Sequence, residues 1–558
     1  VVDTKVNPLL YIHDALIQEG FSRVFEKDKD CLYHGVLDPK GAAVPISFEV
    51  KDFNFVRFPE IKIRPEYPLD KRKLPHVLGS NGSLCYLAKG SVILDRYNPG
   101  GTVLQCLNQA TTVLLASMSG NLDADFADEF SNYWGTSFAL VDMPPTSVGK
   151  AGLRYVKLAE GRTDTGVLAK DASWLWDRDP GRENEAEAAR IVSTDQPLTL
   201  DPALDWPPKT LGKFNEWLSS IDPKLVGQLE NTIASSSGTI GVIAIRAPNG
   251  IFICRTEVPQ QLRRVEFLKN RRLQLPKMLR LNESIVDIEL VAATRADAEY
   301  VFGRNLGEMA NLRGKHILLI GCGTIGGFLA QQLAQCGAGF DGGSMVLVDN
   351  ERLQTANLGR HLLGTPYLHL SKAEACVAFL KDQLPPLDIK ARDIDALELK
   401  EYCAQFDIVV DATGEEALSI ALNEAAVAAR PNSPPHLFVW LEGNGATAKS
   451  MLTGEADFAC LKCLKPSLSG PPRYRTLRPG VTVEVLRDVS CADAGYVPYP
   501  VSRSVSAAAL ACDHILDWAN GNRGTRFRTR TFDTAKAFRI DDCSPSLSEI
   551  CPACGVRA

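Results

Sequence analysis

The chain reads as a multidomain α/β protein: an α+β region at the N-terminus, an α+β spacer, and a doubly wound, mostly parallel C-terminal domain. Three observations carry that reading. A glycine-rich loop, Gly321-Cys322-Gly323-Thr324-Ile325-Gly326, directly follows the apolar run His316 to Ile320. Strand-like and helix-like segments alternate after it. Two Cys-x-x-Cys pairs, Cys460/Cys463 and Cys551/Cys554, then frame a lone Cys491.

The bulk properties bound the possibilities. At 558 residues the chain exceeds what one hydrophobic core supports. Its 45% hydrophobic and 23% charged residues are those of a water-soluble globular protein. A net charge of −6 offers no footprint for nucleic acid. No apolar stretch reaches the roughly 20 residues that a bilayer requires, and VVDTKVNPLL lacks the pattern of a secretory leader. Fifteen cysteines dispersed over such a length point to metal or redox chemistry, not to a disulfide scaffold. The expectation is a cytoplasmic protein that engages neither nucleic acid nor membrane.

Residues 1–150 open on an amphipathic helix pattern (Leu9, Leu10, Ile12, Leu16, Ile17). Strand-like runs follow at Ala43 to Val50 and Asn54 to Ile63, then Pro- and Gly-punctuated turns, then a helix near Leu104 to Met118. Residues 151–290 carry a weaker signal. Arg178 to Ala189 is charge-rich and reads as a surface helix or loop, whereas Thr239 to Cys254 reads as a β-hairpin turning at Asn249-Gly250. No catalytic constellation stands out there, so a spacer or scaffold is expected. From 291 to 558 the order is β-α-β: a strand at His316–Ile320, a helix through Cys336, and strands at Ser344–Val348, Phe406–Val410 and His436–Leu441. Such a sheet binds ligands at its strand C-termini.

Gly321, Gly323 and Gly326 let the backbone turn tightly and approach a phosphate at a helix N-terminus. Asp349, closing the next strand, can accept both ribose hydroxyls. Downstream come Asn357 and Arg360 in NLGRH, Lys372 in LSKAEA and Asp411 in VVDATG. Hydride transfer has no use for an arginine, a lysine and a metal-ready carboxylate converging on phosphates. Adenylation uses all three: Arg360 and Lys372 neutralise phosphate charge, and Asp411 can hold Mg²⁺. Four thiolates in two pairs suit tetrahedral Zn²⁺ at a closed, structural site formed by Cys460, Cys463, Cys551 and Cys554.

GCGTIGG, VLVDNERL, NLGRH, SKAEA and VVDATG together resemble the adenylation domain of ubiquitin-activating enzymes and their bacterial sulfur-carrier relatives of the ThiF/MoeB type. The resemblance spans roughly residues 300–558 and implies a Rossmann-like domain that uses ATP to adenylate a protein's C-terminal carboxylate, commonly as a homodimer. It implies three further assignments. Similarly placed cysteine pairs hold zinc. An arginine ahead of the first strand helps bind phosphates, for which Arg304 in FGRN is the match. A cysteine in the crossover segment attacks the acyl-adenylate, and DVSCADAGYVPYPVS puts Cys491 in that place, where the following helix N-terminus can favour its thiolate.

The N-terminal segment also bears a resemblance. Phe58-Pro59, Pro65-Glu66-Tyr67-Pro68, Leu74-Pro75-His76 and Gly82-Ser83-Leu84-Cys85-Tyr86 are similar to the proline-rich run, histidine turn and active cysteine of ubiquitin-conjugating enzymes. Cys85 is the implied transferring thiol, with Cys106 as runner-up, and His76 either orients the loop or acts as a base. The usual Pro-Asn after the histidine is replaced by Val77-Leu78, so the oxyanion donor is another group, for which Asn81 is the nearest candidate.

A conjugating-like domain, a spacer and an activating domain in that order resemble bacterial fusion proteins of CBASS antiphage operons. The resemblance implies a relay from ATP·Mg²⁺ through Cys491 and Cys85 to an amine. It also implies a protein substrate with an activated C-terminus, either a cGAS-like nucleotidyltransferase or a ubiquitin-like protein. Two alternatives make distinct predictions. A sulfur-carrier-type adenylyltransferase forms no thioester on Cys85, and a nicotinamide-binding oxidoreductase or scaffold shows no ATP–pyrophosphate exchange.

Overall fold

Asn7 caps the first helix, accepting from the Leu9 amide at 3.1 Å, and Pro8 opens it where no amide partner is needed. In the computed structural model this helix, Pro8–Gln18, packs on a second, Pro99–Met118, which Asn98 caps in the same way. The structure describes residues 7–555 apart from 28, 69–72, 79–81, 89, 136, 158–163, 171, 172, 174, 177–185, 202–204, 236–238, 264–270, 385, 400–402, 456, 457, 487–494 and 523. The chain forms two compact units, Val1–Arg295 and Ala296–Ala558.

The first unit begins with an antiparallel sheet. Its strands are β1 (Ser22–Glu26), β2 (Lys29–Leu37), β3 (Val44–Glu49), β4 (Glu60–Ile63), β5 (Val77–Leu78) and β6 (Ser83–Leu84), in the order β1-β2-β3-β4-β6-β5. β3 alternates buried and half-buried residues, the period-2 signature of a sheet with one face on a core. That core holds Ile46, Phe48, Ile61, Leu16 and Leu114.

The same unit continues into a closed barrel of β7 (Ser137–Asp142), β8 (Gly149–Val156), β9 (Thr165–Ala169), β10 (Glu187–Ser193), β11 (Ile240–Ala247), β12 (Gly250–Glu257) and β13 (Ile288–Arg295), ordered β10-β11-β12-β13-β7-β9-β8. The β11–β12 hairpin stands where the sequence placed one, with Ala247 opposite Gly250. One expectation is corrected. Residues 187–189, read as part of a surface helix or loop, belong to strand β10, while 178–185 of that stretch lie outside the described residues. Their charge shares the face of Ala189, Ile191, Ile253 and Val291, which the strands turn into the barrel: the Arg255 guanidinium donates to both Glu187 oxygens, at 2.8 and 2.9 Å, and to Glu289 at 3.3 Å. Beside the barrel wall lies an aromatic cluster of Phe130, Trp134, Trp206, Phe214, Trp217 and Phe252, with ring centroids 5.0–6.1 Å apart among the paired members.

The second unit is a seven-stranded mixed sheet: β14 (His316–Ile320), β15 (Ser344–Val348), β16 (Ile389–Arg392), β17 (Ile408–Asp411), β18 (His436–Glu442), β19 (Thr447–Thr453) and β20 (Phe527–Thr531). The order is β16-β15-β14-β17-β18-β19-β20, the first five strands parallel and the last two antiparallel. Apolar residues of β14 face two cores. Ile317 and Leu319 join helices Gly326–Gln335, Lys372–Gln383 and Val501–Ala519 on one side; Leu318 and Ile320 join helix Glu416–Ala428 on the other. This is the doubly wound arrangement, and the crossovers reverse between β14 and β17. Strand ends Ile320 and Asp411 are paired there.

Candidate functional site

The switch point between β14 and β17 holds the glycine loop. Gly321 adopts φ +88°, and a Cβ there would meet Thr413 backbone at 2.9 Å, so only glycine lets the two strand ends approach. Gly326 starts its helix so close to the Gly321 carbonyl that a Cβ would lie 1.7 Å from it. At Gly323 a Cβ would meet nothing within 4 Å, leaving the loop's outer face open.

Asp349 and His361 bond to this loop directly, and Asn357 and Lys372 follow it in the chain. Asp349, at the end of β15, accepts from the Cys322 amide at 2.7 Å and the Glu351 amide at 2.8 Å. Burial pushes its carboxyl above the usual carboxylate range, and those two amides oppose the rise. His361 donates from Nε2 to the Cys322 carbonyl at 2.7 Å and accepts the Leu363 amide at Nδ1, which specifies a neutral tautomer. Burial lowers its pKa, in agreement. Lys372 opens its helix in a buried position, its ammonium bonded to Glu351. Asn357 spends its side-chain oxygen on the Gln354 amide at 2.9 Å, forming a local capping box.

Arg360 is held from the far side. Its Nη1 donates to the Val497 carbonyl at 3.4 Å and its guanidinium stands 5.2 Å from the Tyr499 ring centroid, while Nε is buried without a partner among the described residues. A buried guanidinium N–H left open is a fit for an anion. The Tyr499 hydroxyl in turn meets Thr324 Oγ1 at 3.1 Å. Asp411, fully buried, accepts from Thr413 Oγ1 at 2.6 Å, the Thr413 amide at 3.0 Å and Ser419 Oγ at 2.5 Å. Its pKa is raised by burial. Arg304 ends helix Ala298–Gly303, exposed, with its guanidinium 5.8 Å from the Tyr300 ring centroid.

Cys491 lies outside the described residues, 487–494. The residues flanking them are held together: Leu486 and Tyr496 exchange two backbone hydrogen bonds, at 2.9 and 2.8 Å. Asn444 donates to the carbonyls of Glu484 at 2.9 Å and Pro498 at 3.3 Å. An open cavity of about 800 Å³ is lined by Gly414, Glu416, Trp440, Lys449, Arg475 and Arg478.

The four paired cysteines converge. Cys460, Cys463, Cys551 and Cys554 place their sulfurs within 4.8 Å of one another, with Cys460–Cys551 at 3.7 Å, Cys463–Cys554 at 3.3 Å and Cys460–Cys463 at 3.9 Å. A tetrahedron with Zn–S bonds of about 2.3 Å has S···S edges of roughly 3.8 Å, so the residues fit the ion. Cys322 is buried core, as is Cys106, whose thiol burial pushes up.

Cys85 follows β6, half-buried, and donates its amide to the His76 carbonyl at 2.7 Å. His76 sits at φ +62°, a strained conformation for a residue with a Cβ. Its ring is clamped between Asp125, 2.9 Å from Nε2, and Glu129, 2.9 Å from Nδ1. The Cys85 thiol is raised by burial and then by the Glu129 charge. The Tyr133 hydroxyl is buried alongside, pushed up to about 12 by that burial and by Glu129 and Cys85. Asn81 lies outside the described residues. Sequence reasoning missed Glu129, Tyr133, His361 and Tyr499. Only the i, i+4 spacing of Asp125, Glu129 and Tyr133 marks a shared face.

Residues 300–549 match the ThiF family, and residues 19–140 match prokaryotic E2 family B. The ATP-dependent ubiquitin transferase-like protein Cap2 of Pseudomonas aeruginosa (strain BWHPSA011 / Pa011) is 33% identical over 97% of this chain and 98% of its own. The protein of the same description from Vibrio cholerae serotype O1 is 25% identical over 82% of this chain and 85% of its own. Among solved structures, E. coli MccB with ATP matches 44% of this chain and 67% of its own, at 18% identity and a TM-score of 0.33.

Proposed function

Because this chain belongs to the Cap2 family of ATP-dependent ubiquitin transferase-like proteins, with an E2-like domain fused to a ThiF-type E1-like domain, we propose that it carries a protein's C-terminal acyl group through two of its own thiols to an amine. The tasks divide as a conjugating-like module over 1–150, a spacer that binds the protein substrate over 151–290, and an adenylating module over 291–558.

ATP supplies the leaving group that makes the carboxylate reactive. Gly321, Gly323 and Gly326 present backbone to its phosphates, Asp349 receives the ribose, and Arg360 and Lys372 carry the countercharge, with Asn357 and Arg304 as further contacts. Lys372 would exchange Glu351 for a phosphate, and Arg360 would fill its open Nε. Asp411 would hold Mg²⁺ after giving up hydrogen bonds from Thr413 or Ser419. Cys491 takes the acyl group as a thioester and passes it to Cys85, dividing one hard acyl transfer into easier ones. Zinc on Cys460, Cys463, Cys551 and Cys554 pins the C-terminal segment and takes no part in the chemistry.

The observation that carries this reading is the anchoring of the segment after Cys491 to the glycine loop, through Tyr499 on Thr324, and to Arg360, which bonds Val497. The donor fits a cGAS-like nucleotidyltransferase or ubiquitin-like protein, the acceptor is an amine, and the working form is a cytoplasmic homodimer.

Non-reducing gels of the chain with ATP, Mg²⁺ and its operon neighbours test the reading. Thiol-sensitive adducts should vanish in Cys491→Ala and stall before Cys85 in Cys85→Ala. Conjugation that survives both substitutions would refute it, and an adduct indifferent to Cys85→Ala would favour a sulfur-carrier-type adenylyltransferase.

A further inference from the structure

The segment Asp125 to Trp134 has two faces with different owners. Phe126, Phe130 and Trp134 are buried in the aromatic cluster of the barrel, and the Trp134 indole donates to the Ile253 carbonyl at 2.8 Å. The Tyr133 carbonyl accepts from the Trp206 indole at 2.6 Å. On the other face, Asp125 and Glu129 clamp His76, and Tyr133 and Glu129 act electrostatically on Cys85. The barrel thus holds three polar side chains rigidly at the thiol that follows β6.

Their hydrogen-bonding capacity is not used up. Glu129 spends Oε1 on His76, whereas Glu129 Oε2 and the Tyr133 hydroxyl are buried atoms that make no hydrogen bond of good geometry among the described residues, although the hydroxyl lies close enough to Glu129 and to the His76 backbone to interact with both. Two such atoms side by side cost free energy unless an incoming group satisfies them. Both His76 nitrogens are occupied by carboxylate oxygens, at 2.9 Å each, so neither faces an incoming group. Two acidic side chains around a single histidine make this a place for a cation.

We propose that Glu129 Oε2 and the Tyr133 hydroxyl receive the acceptor amine, a primary ammonium such as a lysine side chain, and that Glu129 deprotonates it for attack on the acyl group carried by Cys85. This rests on Cys85 being the transferring thiol. The ammonium gives one proton to Glu129, which returns it to solvent. The nitrogen then bonds to the thioester carbonyl carbon, the C–S bond breaks, and the second amine proton ends on the Cys85 sulfur. An amide and a free thiol result. His76 is a positioning residue, orienting Glu129 and holding the Cys85 amide through its carbonyl.

The test uses the full chain, acylated by a synthetic thioester of a glycine-ended peptide, with the acylated cysteine located by mass spectrometry. Discharge is then followed with free lysine and with hydroxylamine, a nucleophile already uncharged near neutral pH. Glu129→Gln should slow discharge to lysine about 100-fold and Tyr133→Phe about tenfold, each with hydroxylamine within about twofold of wild type. Glu129→Asp should recover part of the loss. Raising pH toward the amine's own pKa of about 10.4 should narrow the Glu129→Gln deficit, because the base is then not required. Among the described residues, the titratable groups facing the site across that range are Cys85, His76, Asp125, Glu129 and Tyr133. Wild-type discharge to lysine in both isosteric variants would overturn the proposal, as would equal loss with lysine and hydroxylamine, which would mark a purely structural role. Absence of any acyl group on Cys85 would instead overturn the reading beneath it.

Discussion

The hydroxyls of Thr324 and Tyr499 lie 3.1 Å apart, joining the glycine loop to the segment that follows residues 487–494. The same tyrosine lies beneath the Arg360 guanidinium, at 5.2 Å from ring centroid to cation. One side chain therefore touches both the phosphate loop and the arginine proposed to neutralise phosphate charge. Removing only its hydroxyl isolates the first contact. Tyr499→Phe should lower the rate of thioester formation on Cys491 about fivefold, the worth of one hydrogen bond of about 1 kcal/mol, with a smaller effect on ATP–pyrophosphate exchange. Quench-flow loading assays beside exchange assays read the two separately. An equal loss in both would place Tyr499 with nucleotide binding alone.

Arg360 offers a sharper contrast. Its Nε is buried and open, while Nη1 and the ring face already have partners. A lysine delivers a point charge but neither the planar fork nor the stacked face. Arg360→Lys should therefore behave nearly as badly as Arg360→Ala, each reducing kcat/KM for ATP in pyrophosphate exchange by about 100-fold or more. Near-complete rescue by lysine would show that charge alone matters at this position.

The cysteine cluster joins a 3₁₀ turn, Leu461–Leu464, to the C-terminal segment carrying Cys551 and Cys554. Four thiols this close are poorly stable without a cation to share them. The purified chain should contain one zinc per chain by elemental analysis. Cys460→Ser should lower the Tm by roughly 6–12 °C, the shift expected for about 3 kcal/mol in a unit of this size. Adenylation should persist below that transition, since the cluster supplies no open coordination position. Metal-free protein with unchanged Tm would remove the structural role.

Much of this was legible in the chain because the strands of the second unit are buried on both faces and read as continuous apolar runs. His316–Ile320 and Ser344–Val348 begin and end where the sequence placed them. The barrel was illegible for the opposite reason. Its strand Glu187–Ser193 carries charges that are paired only across the sheet, as Arg255 shows with Glu187, so its local composition imitates a surface loop. Glu129 and Tyr133 had no local signal either, since their relation to Cys85 exists only after Phe130 and Trp134 dock into the barrel cluster. Asp411 was found as a strand-end carboxylate, but its use by Thr413 and Ser419 depends on the turn that follows it.

Three histidines give the second unit an acid limit. His514 is buried between Ser450, 2.8 Å from Nδ1, and Arg528, and its pKa is held down to about 3, first by burial and then by that guanidinium. His436 is held down to about 4 by burial, and His361 is lowered as well. In each case the folded value lies below the unfolded value of about 6.5. The stability these groups contribute is thus full above pH 6.5 or so and is lost as pH falls toward the folded value. Asp349 and Asp411, raised by burial, act in the opposite sense at the low end of that range. A substitution separates the contributions. Between about pH 7.5 and pH 5, His514→Asn should lose about 2 kcal/mol less stability than the wild-type chain in urea titrations, whatever its stability at pH 7.5. Equal slopes in the two proteins would mean that His514 binds its proton in the folded state as readily as in the unfolded one. The buried site between Ser450 and Arg528 would then have to accommodate an imidazolium.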